Sequence, residues 1–163
     1  MPSSLDRRTL GSWLNGPRAT LEAEGVQLPP RGKRLGRPAD GSGSVASFGR
    51  RLVALFVDWA LALGLTRLAT IGADVDGQAW DLLVLAVFAA MTWGTLAATG
   101  RTPGYQLLGL RLEMARPTEP RTVWGLRTAI RSLLLVLVVP AAVWDADGRG
   151  LHDKAAGTAV VRA

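Results

Sequence analysis

This sequence predicts an all-α membrane protein, on three observations. There are two long apolar runs, a short acidic link between them, and a large excess of arginine at one end of the pair. The chain has 163 residues, of which 48% are hydrophobic and 20% charged, which is apolar for a single small domain. The predicted architecture is a transmembrane helical hairpin and a third membrane segment. A short two-stranded β pairing at the interface and a disordered N-terminal tail complete it.

Residues 1–47 are rich in Gly, Pro, Ser and Arg, as in Pro29-Pro30-Arg31-Gly32-Lys33-Arg34 and Gly41-Ser42-Gly43-Ser44. Such a composition cannot bury a core, so 1–47 is expected to be a disordered, basic cytoplasmic tail. Within it, Ser4 to Leu14 has the apolar spacing of a short helix. Met1 to Ser47 holds no apolar core long enough for a secretory signal, so insertion should rely on internal spans. The chain has no cysteine, which removes disulfides and thiolate ligands from consideration.

The membrane domain is expected over 48–163. Its first span should run over about 48–71, with Arg50 and Arg51 at one mouth and Arg67 positioned to snorkel at the other. The link that follows carries Asp74, Asp76 and Asp81. A second span is expected over about 80–98, where Ala86, Ala90, Gly94 and Ala98 recur every four residues and suit close helix packing. Gly100 to Gly104 reads as a Pro-Gly turn, with Thr102-Pro103-Gly104 as ordinary turn chemistry. In Leu107 to Met114, Leu110, Leu112 and Met114 alternate with Arg111 and Glu113, the pattern of a short strand. A third segment over about 123–144 starts amphipathically, with Arg127 and Arg131 in its first turns, and contains Pro140. Finally, Gly157 to Val161 reads as a strand able to pair with Leu108 to Met114.

Lysine and arginine number nine in residues 1–51 and six in 99–131, against the single Arg67 in the outer link. The positive-inside rule then puts the N-terminus in the cytoplasm. Three full crossings are the expectation and would place the C-terminal tail outside, whereas strand pairing needs it on the same face as residues 108–114. A re-entrant third segment bent at Pro140 reconciles the two.

Asp58 lies alone in the apolar run Leu52 to Leu65, where an ionised carboxylate costs roughly a few kcal/mol unless paired or wetted. Arg51 shares its helix face but sits about 10 Å away along the axis, too far for an easy pair. A charge partner from the third segment, Arg127 or Arg131, is expected instead. Asp153, beside His152 and Lys154, should clamp an interfacial turn through backbone amides or through Arg101 or Arg111. An EF-hand register from Asp145 fails, because Arg149 and Ala156 occupy ligand places, and His152 is the single histidine. No metal site, catalytic site or cofactor is expected, and no phosphate loop or nucleophile elbow is present. Net charge is +6. With the basic tail adjoining a span, anionic lipid headgroups are a nearer partner than nucleic acid.

Three motifs occur in order: Arg51 with Asp58 in an apolar helix, then Gly100-x-Thr102-Pro103-Gly104 with Leu108-Gly109-Leu110-Arg111, then Arg149-Gly150-Leu151-His152-Asp153-x-x-Ala156-Gly157-Thr158. Over roughly Ser44 to Val161 the chain resembles the RDD family, small polytopic membrane proteins named for one arginine and two aspartates. The resemblance maps these onto Arg51, Asp58 and Asp153. It implies location in the cell membrane and supplies no reaction. The leading expectation is a non-enzymatic structural or assembly component, acting with its own copies or other membrane proteins. The alternative is a cation/proton transporter, such as a sodium/proton exchanger, that uses Asp58 in an oligomer.

Overall fold

The computed structural model describes residues 25, 30–121, 123–137 and 149–163. Helix α1 spans Phe48–Ala69 and helix α2 spans Gly77–Thr99, close to the expected spans. At 1.5 Å per residue they are about 33 and 35 Å long, sufficient for a hydrocarbon core of roughly 30 Å. Asp76 starts α2 by accepting a hydrogen bond from the Ala79 amide at 2.9 Å, and Gly100, at φ 71°, ends it.

The two helices pack along narrow stripes. From α1 come Arg51, Ala54, Asp58, Ala62 and Thr66; from α2 come Val84, Phe88, Thr92 and Leu96. Thr66 and Thr92 return their hydroxyl protons to the carbonyls four residues back, which hides those donors within the helices. The expected small-residue seam is not the one used: Ala86, Ala90, Gly94 and Ala98 are all exposed. Each lies two residues, about 200°, from a member of the buried stripe, hence on the opposite side of the helix.

Both helices leave large apolar side chains outside. Phe56 is 64% exposed, Leu68 66% and Leu82 60%, and only 22% of each apolar window is buried. A core helix of a water-soluble protein would bury such residues.

After α2 the chain turns through helix α3, Pro103–Leu107, into strand β1, Leu110–Met114. Helix α4 covers Trp124–Val136, helix α5 Leu151–Ala156, and strand β2 Thr158–Arg162. The expected strand pairing is present: β1 and β2 run antiparallel from Leu110 opposite Arg162 to Met114 opposite Thr158. Leu110, Leu112 and Met114 face inward, as their alternation predicts. Ala46, Ala54, Leu96, Tyr105, Leu110, Leu112 and Val160 form a small core where the sheet meets the hairpin.

Helix α4 inverts the amphipathicity of a soluble helix. It buries Thr128, Arg131 and Ser132 and exposes Leu126, Ile130, Leu133 and Leu137. Its 13 residues reach about 20 Å, short of a crossing. The rest of the expected third segment, 138–144 including Pro140, lies outside the described residues. The sheet nevertheless corrects the three-crossing expectation. Strand β1 follows α2 and β2 follows α5, so the chain between them departs from and returns to one end of the hairpin; a single full crossing would leave β2 at the other.

A second correction concerns the tail. Residues 30–47 are folded onto the sheet. They include a 3₁₀ turn at Lys33–Leu35 and buried Leu35, Val45 and Ala46. Val45 bridges Val161, the Ala46 amide donates to the Val160 carbonyl at 2.9 Å, and the Arg162 amide donates to Ser44 at 2.9 Å. These bonds cover the free edge of β2. Arg37 fastens the segment by donating to the Glu113 carboxylate and to the carbonyls of Met114 and Ala115. The expected helix at Ser4 to Leu14 lies outside the described residues.

Candidate functional site

Asp58 is 3% exposed, on the α1 stripe that α3 covers. Its Oδ2 accepts a hydrogen bond from the Thr102 hydroxyl at 2.5 Å and its Oδ1 accepts from the Gly104 amide at 2.8 Å. Thr102 caps α3, its Oγ1 also accepting from the Tyr105 amide at 3.1 Å. Asp58 therefore meets the first-turn amides that a helix leaves unsatisfied, an electropositive setting suited to a carboxylate.

Gly104 makes this approach feasible. A Cβ there would stand 2.2 Å from the Ala54 carbonyl oxygen, so only glycine lets α3 lie this close to α1. The expected pairing of Asp58 with Arg127 or Arg131 is not formed, because the backbone and hydroxyl donors of 102–104 reach it first. Arg127 donates to the Ala156 carbonyl at 3.1 Å, and Arg131 serves the other aspartate.

Asp153 is fully buried. Arg131 Nε donates to its Oδ1 at 2.7 Å, Arg51 Nη1 donates to its Oδ2 at 3.4 Å, and His152 Nε2 stands 3.5 Å from Oδ1. Burial pushes this carboxyl upward, but the charges of Arg131, His152 and Arg51 outweigh it and hold the group below the usual carboxylate range. The expected donors Arg101 and Arg111 are not used; Arg111 instead pairs with Glu113 at 2.8 Å.

Arg131 carries the network onward. Its Nη2 donates to the Tyr105 hydroxyl at 2.6 Å. Burial, only partly opposed by Arg131, raises the Tyr105 phenol above its ordinary value. Arg51 Nη2 reaches the Val160 carbonyl at 3.5 Å. Contacts thus run without a break from Asp58 through Thr102, Tyr105, Arg131 and Asp153 to Arg51. They join α1, α3, α4, α5 and β2 at one end of the hairpin.

Helix α5 is shaped to present Asp153. A Cβ on Gly150 would stand 2.5 Å from the His152 ring. Gly157 takes φ 65°, and a Cβ there would meet Arg127 Nη1 at 2.3 Å. Both glycines of the Arg149–Thr158 motif therefore make room for a side chain of the network's surroundings. Among the described residues no group of three or more His, Asp and Glu is placed to hold a metal ion.

Of the residues singled out from sequence, Arg51, Asp153 and Arg131 come together directly, Asp58 joins through Thr102 and Tyr105, and Arg127 stands beside the group on Ala156. Thr102 and Gly104, which the sequence marks only as turn residues of the second motif, supply the donors to Asp58, and Tyr105 was not anticipated. One signal was available, since Tyr105 is the sole tyrosine and follows directly on the turn.

A model of the RDD family matches residues 45–157, from the β2-facing segment through Arg51, Asp58, the Gly100–Gly104 turn and Asp153 to Gly157. The chain belongs to the RDD family. No curated protein and no solved structure matches it. With two outward-facing apolar helices long enough to cross a bilayer, it is an RDD family membrane protein. Arg51, Asp58 and Asp153, the residues that the resemblance singles out, lie in one connected network here, with Arg131 as an additional member.

Proposed function

We propose that this RDD protein is a non-enzymatic assembly component of the cell membrane, which it enters as a hairpin with both ends of the described chain on the cytoplasmic side. The single observation that carries this is the saturation of both buried carboxylates by donors of the chain itself. Asp58 has both oxygens occupied and Asp153 has two guanidinium partners, so the network acts as a clamp rather than a cation relay. The exposed basic residues beside the inner helix ends support the orientation. The return of the chain from β1 to β2 supports a re-entrant course for the third segment, about 123–144, with the apolar side of α4 against lipid. The outward stripe Ala86, Ala90, Gly94 and Ala98 suits lateral association with a second copy or another membrane protein.

Purified full chain and its Asp58→Asn variant, reconstituted in proteoliposomes, test this reading. The expected result is a lower melting temperature in the variant and no sodium/proton flux in either. Flux in the native chain that disappears in the variant at unchanged stability would establish transport and overturn the assembly role. A cysteine introduced at Ala163 reports the side: labelling only after permeabilisation is expected, and labelling of intact cells would refute the re-entrant course.

A further inference from the structure

We propose that the start of α4, the end of α5 and the loop 116–121 together form a docking surface for the phosphodiester headgroups of anionic lipids. Four cations converge there. Arg127 Nη1 lies against Gly157 and donates to the Ala156 carbonyl at 3.1 Å. The Ala115 amide donates to the Gly157 carbonyl at 2.9 Å, which brings Arg116 to the same corner, and Lys154 occupies the last turn of α5. Arg121 lies over the Trp124 ring at 4.8 Å, one helical turn before Arg127.

None of these four makes an ion pair among the described residues, in contrast to Arg37, Arg51, Arg111 and Arg131. Glu119, in the same loop, offsets one charge and leaves the corner strongly positive. The Nε of Arg127 is enclosed and has no hydrogen-bond partner, so the guanidinium can offer the headgroup only its outer nitrogens.

The surroundings of these charges select the partner. Val123 is 62% exposed and Leu126 59% at the start of α4, while Leu133 at 65% lies farther along α4 and Leu151 at 41% opens α5. The Trp124 ring ties this corner to the end of α2, its Nε1 donating to the Leu96 carbonyl at 3.1 Å. Unpaired guanidinium groups beside bare leucines match the boundary between headgroup and acyl chain: phosphate receives the bidentate donors and lipid tails cover the leucines. A nucleic acid would leave those leucines in water.

Full chain purified in neutral detergent is titrated with dioleoylphosphatidylglycerol and, separately, dioleoylphosphatidylcholine, with retained lipid counted by native mass spectrometry. The phosphatidylglycerol should bind at least about tenfold tighter, an advantage erased in Arg116→Gln/Arg121→Gln/Arg127→Gln. The double variant Arg116→Gln/Arg121→Gln spares the bond to Ala156 and should lose part of it with an unchanged melting temperature. About 0.5 M sodium chloride should weaken the anionic lipid alone. Equal binding of the two lipids, or a triple variant within about twofold of the native chain, overturns the proposal. So does competition by free inorganic phosphate at equal concentration, which would mark a simple phosphate site. None of these three results bears on the assembly role, which rests on the internal clamp.

Discussion

Gly104→Ala is the sharpest probe of how Asp58 is accommodated. The new methyl would start 2.2 Å from the Ala54 carbonyl oxygen and 2.9 Å from its carbon, where ordinary contact begins at 3.4 Å. Backbone lies on both sides, so α3 must retreat by about 1.2 Å instead of a side chain swinging away. That displacement stretches the 2.8 Å bond from the Gly104 amide to Asp58 beyond bonding distance. Overpacking costs about 1–3 kcal/mol and a lost bond to a charged group about 1.5–3 kcal/mol. Roughly 3–6 kcal/mol is a large part of the 5–15 kcal/mol typical of a folded domain.

The measurement is thermal unfolding of the full chain in neutral detergent, followed by tryptophan fluorescence and size-exclusion monodispersity. A fall in melting temperature of roughly 6–20 °C is expected. Gly94→Ala is the control, because nothing lies within 4 Å of a Cβ there; it should be neutral or slightly stabilising. A Gly104→Ala protein that melts within about 2 °C of the native chain would refute the close-approach argument.

Asp153→Asn removes the anion shared by two buried guanidinium groups and should cost about 3–5 kcal/mol. In a double-mutant cycle with Arg131→Gln the two losses should fall short of additive by about 1 kcal/mol or more, and strict additivity would contradict their contact. Burial raises the Asp153 carboxyl, but Arg131 outweighs it and leaves the folded value below the unfolded one. Its stabilisation is therefore complete above about pH 4 and lost as pH falls through the folded value; melting curves between about pH 5 and pH 2.5 should show this loss in the native chain and not in Asp153→Asn. Arg37→Gln removes the bonds that hold residues 30–47 to β1 and should speed limited proteolysis between Pro30 and Ser44 while the hairpin stays intact. Unchanged cleavage would show that Val45 and Ala46 suffice to hold the segment.

The helical hairpin and the strand pairing were legible in the sequence because each leaves a local periodicity, an apolar run in one case and alternation at Leu110, Leu112 and Met114 in the other. The environment of Asp58 was not. Its donors, Thr102 and Gly104, stand 44 and 46 residues away, and one is a backbone amide that carries no residue signature. The search for a countercharge pointed to Arg131, a correct choice of residue assigned to the wrong carboxylate. Residues 30–47 were misjudged on composition, since three small buried side chains and one arginine fork fix a segment whose average hydrophobicity is low. The stripe from Ala86 to Ala98 showed that spacing identifies a face without identifying what covers it.

The bond between Arg51 and Asp153 spans 102 positions of the chain. During synthesis the hairpin is made first, and Arg51 and Arg131 wait without their counter-ion until α5 has been made. An interrupted chain would present two uncompensated cations at the membrane surface, a defect that cellular proteolysis can recognise. Helix α5 thereby acts as a latch that can close only once the segment carrying Asp153 has been made.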